Sequence, residues 1–508
     1  MPSKVYSATI IGLNAQIIEV EVDTSYGLRH FEIVGLPDKA VQESKERVGT
    51  AIKSSDFCSP FQQPIRVLVN LAPADLKKEG SMYDLPIALG YLLASKQIKF
   101  YPNNKIILGE LSLDGKLRPI KGALSFALTC KEKDIPEIIL PNANAQEAGM
   151  VKGLKVIGVE SLKETINYLT GKKKITPLQI KLEDFLKKES DCLDIGWIKG
   201  QGYAKRALEI AAAGSHNLLM TGPPGAGKTL LSKSIPSILP QLTFEESLEI
   251  TKIYSVAGFL PERSSLITQR PFRSPHHTSS EAALIGGGNP PRVGEITLAH
   301  RGVLFLDEFP EFHRNVLESL RQPIEDGKIS ILRAKHRQIF PARFMLIAAS
   351  NPCPCGYYGD PEKKCTCSPS QIAMYRRKLS GPLMDRIDLF ISVPQLKYDE
   401  LIEPEEKKLS IEIKEKVNNA RQKQKQRFEK EKGLVNSEMD IPQIKKYCQV
   451  DSKSQSMLKK YINDRKLSAR GYHRVLKIAR TIADLEGLDD ISFDCVSEAT
   501  MYRMRENE

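Results

Sequence analysis

The chain has 508 residues, of which 41% are hydrophobic and 27% are charged, a composition typical of a folded globular protein with more than one domain. Its 74 basic and 62 acidic residues give a formal net charge of +12, which favours a polyanionic partner without requiring one. No run approaches the ~20 consecutive apolar residues of a membrane span, and residues 1–4 do not start a signal peptide. These features argue against membrane and secreted classes, and we expect a cytoplasmic protein.

The first region, residues 1–170, mixes strand-like with helical segments. Residues 65–71 alternate as a strand does, whereas residues 38–54 have the spacing of a helix. The pattern predicts an α+β domain. A Lys-rich stretch over residues 171–195 then predicts a linker.

A glycine-rich loop follows an apolar run at residues 217–220. Small residues let backbone N–H groups turn onto phosphate oxygens, a lysine reaches the β- and γ-phosphates, and a hydroxyl contacts Mg²⁺. The strand before the loop and the helix expected after it are the context that this motif, called Walker A, requires. The predicted nucleotide-binding residues are Gly222, Pro223, Pro224, Gly225, Ala226, Gly227, Lys228 and Thr229.

A second apolar strand, residues 303–306, ends in Asp307 and Glu308, the pattern called Walker B. Asp307 is predicted to hold Mg²⁺ together with Thr229, and Glu308 to polarise the attacking water. Alternatively, such a strand ends in an ordinary acidic turn. Together with the preceding loop, the carboxylates predict ATP hydrolysis.

Two segments are candidates for contact with DNA. Residues 273–292 are rich in Gly, His and Pro and are interpreted as an inserted loop, and residues 327–339 alternate like a hairpin. Lys335, His336 and Arg337 are expected near the hairpin turn, where basic side chains could contact phosphates. A solvated charged turn is the alternative. The pair His276 and His277 is interpreted as hydrogen-bonded structure or a DNA contact, with metal binding the less favoured reading.

Further polar side chains lie at the ends of predicted elements. Residues 343–351 form an apolar strand that ends in Asn351, which could orient the attacking water or contact the γ-phosphate. Arg386 lies at the end of a helix, and Arg470 and Arg474 lie in another. An Arg from a neighbouring subunit can neutralise charge on the phosphoryl group. Each side chain alone is also typical of a helix cap or a surface ion pair.

Four cysteines crowd into one Gly/Pro/Lys-rich segment: Cys353, Cys355, Cys365 and Cys367. Four thiolates in a loop without its own core predict a structural, tetrahedral Zn²⁺ site. The C-x-C spacing is tighter than the usual C-x₂₋₄-C. Free thiols and a redox disulfide remain alternatives.

The order of these motifs resembles that of the AAA+ ATPases. The resemblance implies a P-loop three-layer αβα core over residues 196–395 and a helical lid over residues 396–508. It implies that Asn351 is the sensor-1 residue and Arg386 the finger that acts on a neighbour, with Arg470 preferred over Arg474 as sensor 2. Such ATPases usually form hexameric rings.

Longer phrases are similar to the magnesium-chelatase-like family called YifB or ComM. They include residues 270–278, 294–300, 320–323 and 351–356. The resemblance covers essentially the whole chain. It implies an ATP-driven hexameric helicase that promotes branch migration during natural transformation, with single-stranded or branched DNA as its partner, Mg²⁺ as its cofactor and ATP as its only small-molecule substrate.

Residues 76–89 and 109–120 resemble the S5-like domain of Lon-type proteases. The positions of the Lon serine and lysine fall on Met82 and Leu124, neither of which can perform that chemistry. We therefore expect residues 1–170 to be catalytically inert. Ser81 with Lys116 or Lys121 is a less favoured alternative.

Two classes of function remain open. A DNA motor is favoured by the family resemblance, the basic balance and the candidate loops. The alternative is a protein-remodelling ATPase, either a magnesium-chelatase-like motor or a Lon-like chaperone or protease. Stimulation of ATP hydrolysis by forked or four-way DNA distinguishes the two.

Overall fold

The computed structural model describes residues 2–178, 192–261, 265–288, 291–333, 336–379, 381–396, 409–429, 434–464 and 467–503. These residues divide into two compact units. The first unit combines Met1–Lys187 with Ser247–Ile267, and the second combines Lys188–Glu246 with Thr268–Glu508.

The first unit is an α+β structure. Its largest sheet has the order β1-β2-β4-β3, a parallel sheet has the order β5-β8-β9, and β6 pairs with β7. The strands are β1 (Ser3–Ile11), β2 (Asn14–Tyr26), β3 (His30–Val34), β4 (Ile65–Ala72), β5 (Lys105–Ile107), β6 (Glu110–Leu111), β7 (Leu117–Arg118), β8 (Glu137–Pro141) and β9 (Lys155–Val159). The helices are α1 (Lys39–Ser54), α2 (Asp84–Ala94), α3 (Ala123–Glu132), α4 (Asn142–Ala148) and α5 (Leu162–Leu169).

Local sequence explains why these elements form. In β4 every second residue, Val67, Val69 and Leu71, is buried, as the alternation predicts. Asp38 caps α1, because its carboxylate accepts a hydrogen bond of 2.8 Å from the backbone N–H of Val41. The strand predicted at residues 65–71 and the helix predicted at residues 38–54 are therefore confirmed.

The second unit contains a five-stranded parallel sheet with the order β11-β14-β17-β10-β18. Its strands, with two short ribbons, are β10 (Leu218–Thr221), β11 (Phe272–Arg273), β12 (Gly286–Gly287), β13 (Arg292–Val293), β14 (Val303–Leu306), β15 (Lys328–Arg333), β16 (His336–Pro341), β17 (Met345–Ser350) and β18 (Leu389–Ser392). The helices over the same stretch of the chain are α6 (Gly202–Gly214), α7 (Lys228–Ser234), α8 (Phe244–Ala257), α9 (Glu281–Ile285), α10 (Glu295–Leu298), α11 (Arg314–Ser319), α12 (Arg321–Asp326), α13 (Pro369–Arg377) and α14 (Gly381–Met384), and all of them except most of α8 belong to the second unit.

The central strands are buried along their whole length. Every residue of β14 and of β17 is buried, which is what apolar runs without alternation predict for a parallel sheet covered on both faces. Thr221 pairs with Ser350, and Leu306 with Ala348. Because these strands are parallel and in register, the loops that follow β10, β14 and β17 emerge at the same edge of the sheet.

The C-terminal part is helical, as predicted. Its helices are α15 (Leu409–Arg427), α16 (Ile441–Tyr447), α17 (Ser452–Asn463), α18 (Ala469–Leu485) and α19 (Phe493–Met501). Buried residues of α15, α18 and α19 share one hydrophobic core with α6 and the central sheet. The domain boundaries stay predictions, and most of the predicted linker, residues 179–191, lies outside the described residues.

One segment inside the range predicted for the ATPase core belongs to the first unit. This segment, Ser247–Ile267, contains most of α8. The hydroxyl of Ser255 donates to the buried carboxylate of Glu147, and Lys252 Nζ donates to Asn14 Oδ1 over 2.7 Å. The first unit is therefore built from two separate stretches of sequence.

Candidate functional site

The phosphate-binding loop connects β10 to α7. Gly225 and Gly227 have φ of 79° and 85°, a region that glycine enters without strain, and α7 begins at Lys228 immediately afterwards. A Cβ on Gly222 would meet the carbonyl of Val393 in the neighbouring strand segment. The loop predicted from the sequence is thus confirmed as a strand–loop–helix unit whose backbone N–H groups can face an anion.

Lys228 is held inside this loop. Its Nζ donates to the carbonyl oxygens of Gly222 (2.6 Å) and Pro223 (2.9 Å) and to Asn351 Oδ1 (3.1 Å). Burial lowers the pKa of Lys228, and the charge of Asp307 opposes that shift. All three N–H groups of the ammonium donate to neutral oxygens. A bound phosphate would replace these acceptors with negatively charged oxygens, which form stronger hydrogen bonds with an ammonium group.

Thr229 and Asp307 provide oxygens suited to Mg²⁺. The hydroxyl of Thr229 donates to Asp307 Oδ2 over 2.7 Å, and the backbone N–H of Glu308 donates to Asp307 Oδ1 over 2.9 Å. A hydroxyl and a carboxylate beside a phosphate-binding loop are the oxygen ligands that Mg²⁺ prefers. The donor set therefore fits the predicted cofactor.

Glu308 has a partner that the sequence did not indicate. His277 Nδ1 lies 3.2 Å from Glu308 Oε2, and the imidazole also packs edge-on against Phe312. Glu308 itself has φ of 50°, an uncommon conformation for a residue other than glycine. No local sequence pattern predicts this contact between His277 and Glu308. The contact arises from the sheet topology, because β11 pairs with β14 and the loops after these parallel strands are therefore neighbours.

Arg386 lies at the opposite edge of the sheet from the phosphate-binding loop, because it precedes β18 whereas the loop follows the parallel neighbour β10. Its Nη2 is 2.6 Å from Glu325 Oε2, and Nη1 donates to the carbonyl of Pro382 over 2.6 Å. Within one chain, Arg386 is therefore not part of the cluster around Lys228.

The two candidate sensor-2 residues have different surroundings. Arg470 is exposed in the first turn of α18, which Ser468 caps. Arg474 makes a close ion pair with the buried carboxylate of Asp388. Burial works to raise the pKa of Asp388, but Arg474 and His216 together hold it well below its usual range. Arg474 is thus occupied within the chain, whereas Arg470 is exposed to solvent.

The four predicted cysteine ligands lie together. The Sγ atom of Cys353 is 3.3 Å from that of Cys355 and 3.7 Å from that of Cys365, and all four sulfurs lie within 4.8 Å of one another. Four sulfurs at 2.3 Å from a central Zn²⁺ would be separated by about 3.8 Å. Backbone N–H groups of Tyr357 and Thr366 lower the pKa of Cys355 to about 5. The donor set fits a tetrahedral thiolate centre.

The cysteine loop packs directly on the phosphate-binding loop. Gly356 has φ of 88°, and a Cβ added there would lie 2.5 Å from Pro224 Cδ. Asn351, which contacts Lys228, is two residues before Cys353. The loop that carries the four cysteines is therefore in direct contact with the candidate nucleotide site.

The predicted hairpin is present, as β15 pairs with β16 and Arg333 faces His336 in the register. The predicted tip residue Lys335 lies outside the described residues, as does the side chain of His336. Arg337, opposite Leu332, is exposed. The earlier segment, residues 273–292, contains α9 and β12 in addition to loops.

In the first unit, the hydroxyl of Ser81 donates to the carboxylate of Glu110. Met82 is partly buried and Leu124 is fully buried. Lys116 Nζ lies 3.3 Å from Asp114, on an exposed turn. Ser81 is therefore paired with an acid, not with an amine of the kind that a Ser–Lys dyad uses.

Across the described residues, no helix has both the length and the apolar character needed to cross a membrane.

Comparison with known proteins places these features in a family. Residues 194–401 match the family described as magnesium chelatase, subunit ChlI, and residues 20–144 and 407–503 match two further models, for subunit ChlI and for its C-terminal part. The competence protein ComM of Haemophilus influenzae is 42% identical over 98% of this chain and 97% of its own length. The uncharacterized protein YifB of Escherichia coli is 41% identical over 99% and 97%. Lon protease 2 of Bacillus subtilis is 29% identical, over 31% of this chain and 32% of its own.

The full-length identities, the three consecutive family models and the loop–strand–helix geometry around Lys228 agree with one another. Membership of this family implies ATPase activity. The chain belongs to the YifB/ComM family of magnesium-chelatase-like AAA+ ATPases.

Proposed function

We propose that this protein is an ATP-driven motor that acts on single-stranded or branched DNA as a hexameric ring, and that it promotes branch migration in homologous recombination during natural transformation. The observation that carries the proposal is the full-length identity of 42% to a protein named for competence. The net charge of +12 and the exposed Arg337 on the β15–β16 hairpin support it, because nucleic-acid affinity is largely electrostatic.

The proposed site divides its tasks among residues of two subunits. Lys228 and the backbone of residues 222–227 bind the β- and γ-phosphates. Thr229 and Asp307 hold Mg²⁺, which supplies positive charge to the phosphates when bound. Glu308 orients and polarises the attacking water, and Asn351 contacts the γ-phosphate.

Arg386 is proposed to complete the site of the neighbouring subunit. Its position at the far edge of its own sheet, beyond reach of its own Lys228 cluster, supports a role in trans. In that role Arg386 would exchange Glu325 for phosphoryl oxygens as charge develops on them. Arg470, exposed at the start of α18, is the proposed sensor 2. Adding Arg386→Ala subunits to intact ones should depress ATP hydrolysis more than dilution alone does.

The four cysteines are proposed to bind a structural Zn²⁺. Four protein ligands leave no open position for substrate, so the metal would brace the loop between Asn351 and α13. Metal analysis of protein purified without chelator should give about one zinc per chain. A zinc content near zero in active protein would contradict the assignment.

A protein-remodelling ATPase is the second candidate. It is favoured by the descriptions of the matched family models and by the partial match to a Lon protease. The pairing of Ser81 with Glu110 argues against a Lon-like peptidase, and we propose that residues 1–170 are catalytically inert.

Steady-state ATP hydrolysis with and without a synthetic four-way DNA junction tests the proposal. A motor acting on DNA should hydrolyse ATP several-fold faster with the junction, and should move its branch point in a gel assay. The Lys228→Ala variant is the control for contaminating ATPases. Wild-type protein whose hydrolysis is indifferent to every DNA form would favour the second candidate.

A further inference from the structure

A cavity of about 380 Å³ opens in the second unit at the amino ends of four strands of the parallel sheet. Its wall includes Asn217, Gly302, Met345 and Asp388, which stand at or immediately before the first residues of β10, β14, β17 and β18. The phosphate-binding loop leaves the carboxyl end of β10. The cavity is therefore at the opposite edge of the sheet from the candidate nucleotide site of the same chain.

The wall is crowded with ionised side chains, most of which neutralise each other. Arg270 Nη2 is 2.9 Å from Glu246 Oε2, and Arg474 pairs closely with Asp388. Each of these cations has a carboxylate of its own. Such pairs need no further anion to be stable in a partly buried wall.

Arg421 and Lys477 differ from Arg270 and Arg474 in this respect. Arg421 Nη2 donates to the carbonyl of Ala212 (3.0 Å) and to Ser215 Oγ (2.6 Å), and its buried Nε has no partner within the described ranges. Lys477 Nζ donates to the carbonyl of Ser437 over 2.8 Å. All of these acceptors are neutral.

Neither group has a carboxylate within ion-pair distance in the described ranges, although more distant carboxylates of the wall act on both: Glu246 and Glu438 on Arg421, and Asp388 and Glu438 on Lys477. Burial lowers the pKa of Arg421, and the nearby charge of Arg270 lowers it further. Burial likewise is the main cause that lowers the pKa of Lys477. A guanidinium does not release its proton in proteins, so Arg421 stays charged in this wall.

We propose that this cavity binds a small phosphate-bearing anion, with positive charge supplied by Arg421 and Lys477, whose hydrogen-bond acceptors within the chain are neutral. Nε of Arg421 has no hydrogen-bond partner among the described residues and can donate to a phosphate oxygen in a charge-assisted hydrogen bond. The volume suits a di- or triphosphate group and is too small for a nucleic-acid duplex. The same chemistry could come from a free polyphosphate or from the phosphate chain of a nucleotide.

Isothermal titration of the Lys228→Ala protein separates this cavity from the nucleotide site. In one arm inorganic pyrophosphate is titrated, and in a second arm ATP, both without Mg²⁺. One pyrophosphate should bind per chain. Arg421→Met should weaken binding at least tenfold, and Arg421→Lys should weaken it less because the charge is retained. Lys416→Met is the matched control, since Lys416 is exposed on the same helix α15 and its loss should change nothing.

Thermal unfolding of each variant shows whether it is folded, so that a loss of anion binding is not confused with misfolding. Because Arg421 has no carboxylate within ion-pair distance, Arg421→Met should stay folded without the anion, while the increase in Tm caused by pyrophosphate should disappear. Tighter binding of ATP than of pyrophosphate would identify nucleotides as the source, and the reverse would identify free polyphosphate. The proposal is overturned if pyrophosphate does not bind at millimolar concentration, or if Arg421→Met and Lys416→Met weaken binding equally.

Discussion

The buried ion pair between Arg474 and Asp388 allows the two candidate sensor-2 residues to be separated experimentally. The side chain of Asp388 is 2% exposed and that of Arg474 is 21% exposed, so bulk water screens this ion pair only weakly. Asp388 Oδ2 also accepts the backbone N–H of Asn217 over 2.9 Å, at the start of β10. The carboxylate thus connects the last helices to the central sheet.

Replacing Arg474 by Met leaves the carboxylate of Asp388 buried with much less positive charge. Breaking a buried pair by removing one partner typically costs about 3–5 kcal/mol. For a unit of roughly 300 residues, with about 2.1 cal/mol/K of unfolding entropy per residue, that cost corresponds to a decrease in Tm of about 5–8 °C. Arg470→Met, an exposed change on the same helix, should alter Tm by less than about 1 °C and should reduce ATP hydrolysis.

The effect of Arg474→Met on Tm should depend on pH, and the pKa of Asp388 sets the direction of that dependence. The pKa of Asp388 is lowered by folding, so its contribution to stability is present above the ordinary pKa and is lost as pH falls toward the depressed one. Without Arg474 the pKa of Asp388 should rise, because His216 and the backbone N–H of Asn217 then oppose the effect of burial without the help of a paired cation. Protonation of Asp388 would then remove the unpaired buried charge from the Arg474→Met protein. The difference in Tm between wild type and this variant should therefore become smaller as pH is lowered from 7 to 5. Differential scanning calorimetry of both variants checks these values. An Arg474→Met protein of unchanged Tm that lacks ATPase activity would refute the reasoning and make Arg474 the sensor.

Three further predictions concern the nucleotide site. Lys228→Ala should abolish measurable ATP hydrolysis in a coupled assay, because no other described cation contacts the carbonyl oxygens of Gly222 and Pro223. Unchanged turnover would show that this loop is not the site of ATP hydrolysis. His277→Ala should raise ATP hydrolysis without DNA about two- to fivefold. The partly exposed pair with Glu308 contributes up to about 1 kcal/mol, and its loss frees the carboxylate to contact the attacking water. A fall in turnover would mean instead that His277 assists Glu308. Gly356→Ala should weaken nucleotide binding, measured with a fluorescent ATP analogue, because its Cβ would collide with Pro224. Gly359→Ala, which has a similar φ of 80° but no atom within 4 Å of its Cβ, is the matched control, and equal effects of the two changes would exclude a contact-based cause.

The sequence was most informative where chemistry and periodicity coincide. The apolar runs at residues 217–220 and 303–306 predicted buried parallel strands, and the glycines and carboxylates after them predicted loops at one edge of a sheet. These features depend on contiguous residues, so a single chain without relatives suffices to recognise them. The hairpin at residues 327–339 and the clustering of the four cysteines were predictable for the same reason.

Features that depend on contacts between distant segments were not predictable. The contact of His277 with Glu308 follows from the pairing of β11 with β14, and β11 contains only two residues. The pairing of Arg474 with Asp388 depends on how a C-terminal helix packs against the sheet. Likewise, Ser247–Ile267 has an ordinary helical pattern that does not indicate which unit it joins.

The assignment of Ser247–Ile267 to the first unit has a consequence for synthesis on the ribosome. Residues up to Lys187 are made first, but the carboxylate of Glu147 and the side chain of Asn14 find their partners Ser255 and Lys252 only after about 65–70 further residues are made. At 5–20 residues per second, that interval lasts roughly 3–14 s. During that interval the nascent first unit lacks the contacts made by Ser255 and Lys252, while β10 and the phosphate-binding loop are being made. The first unit is therefore expected to be completed only after the beginning of the second unit, Lys188–Glu246, has been synthesised.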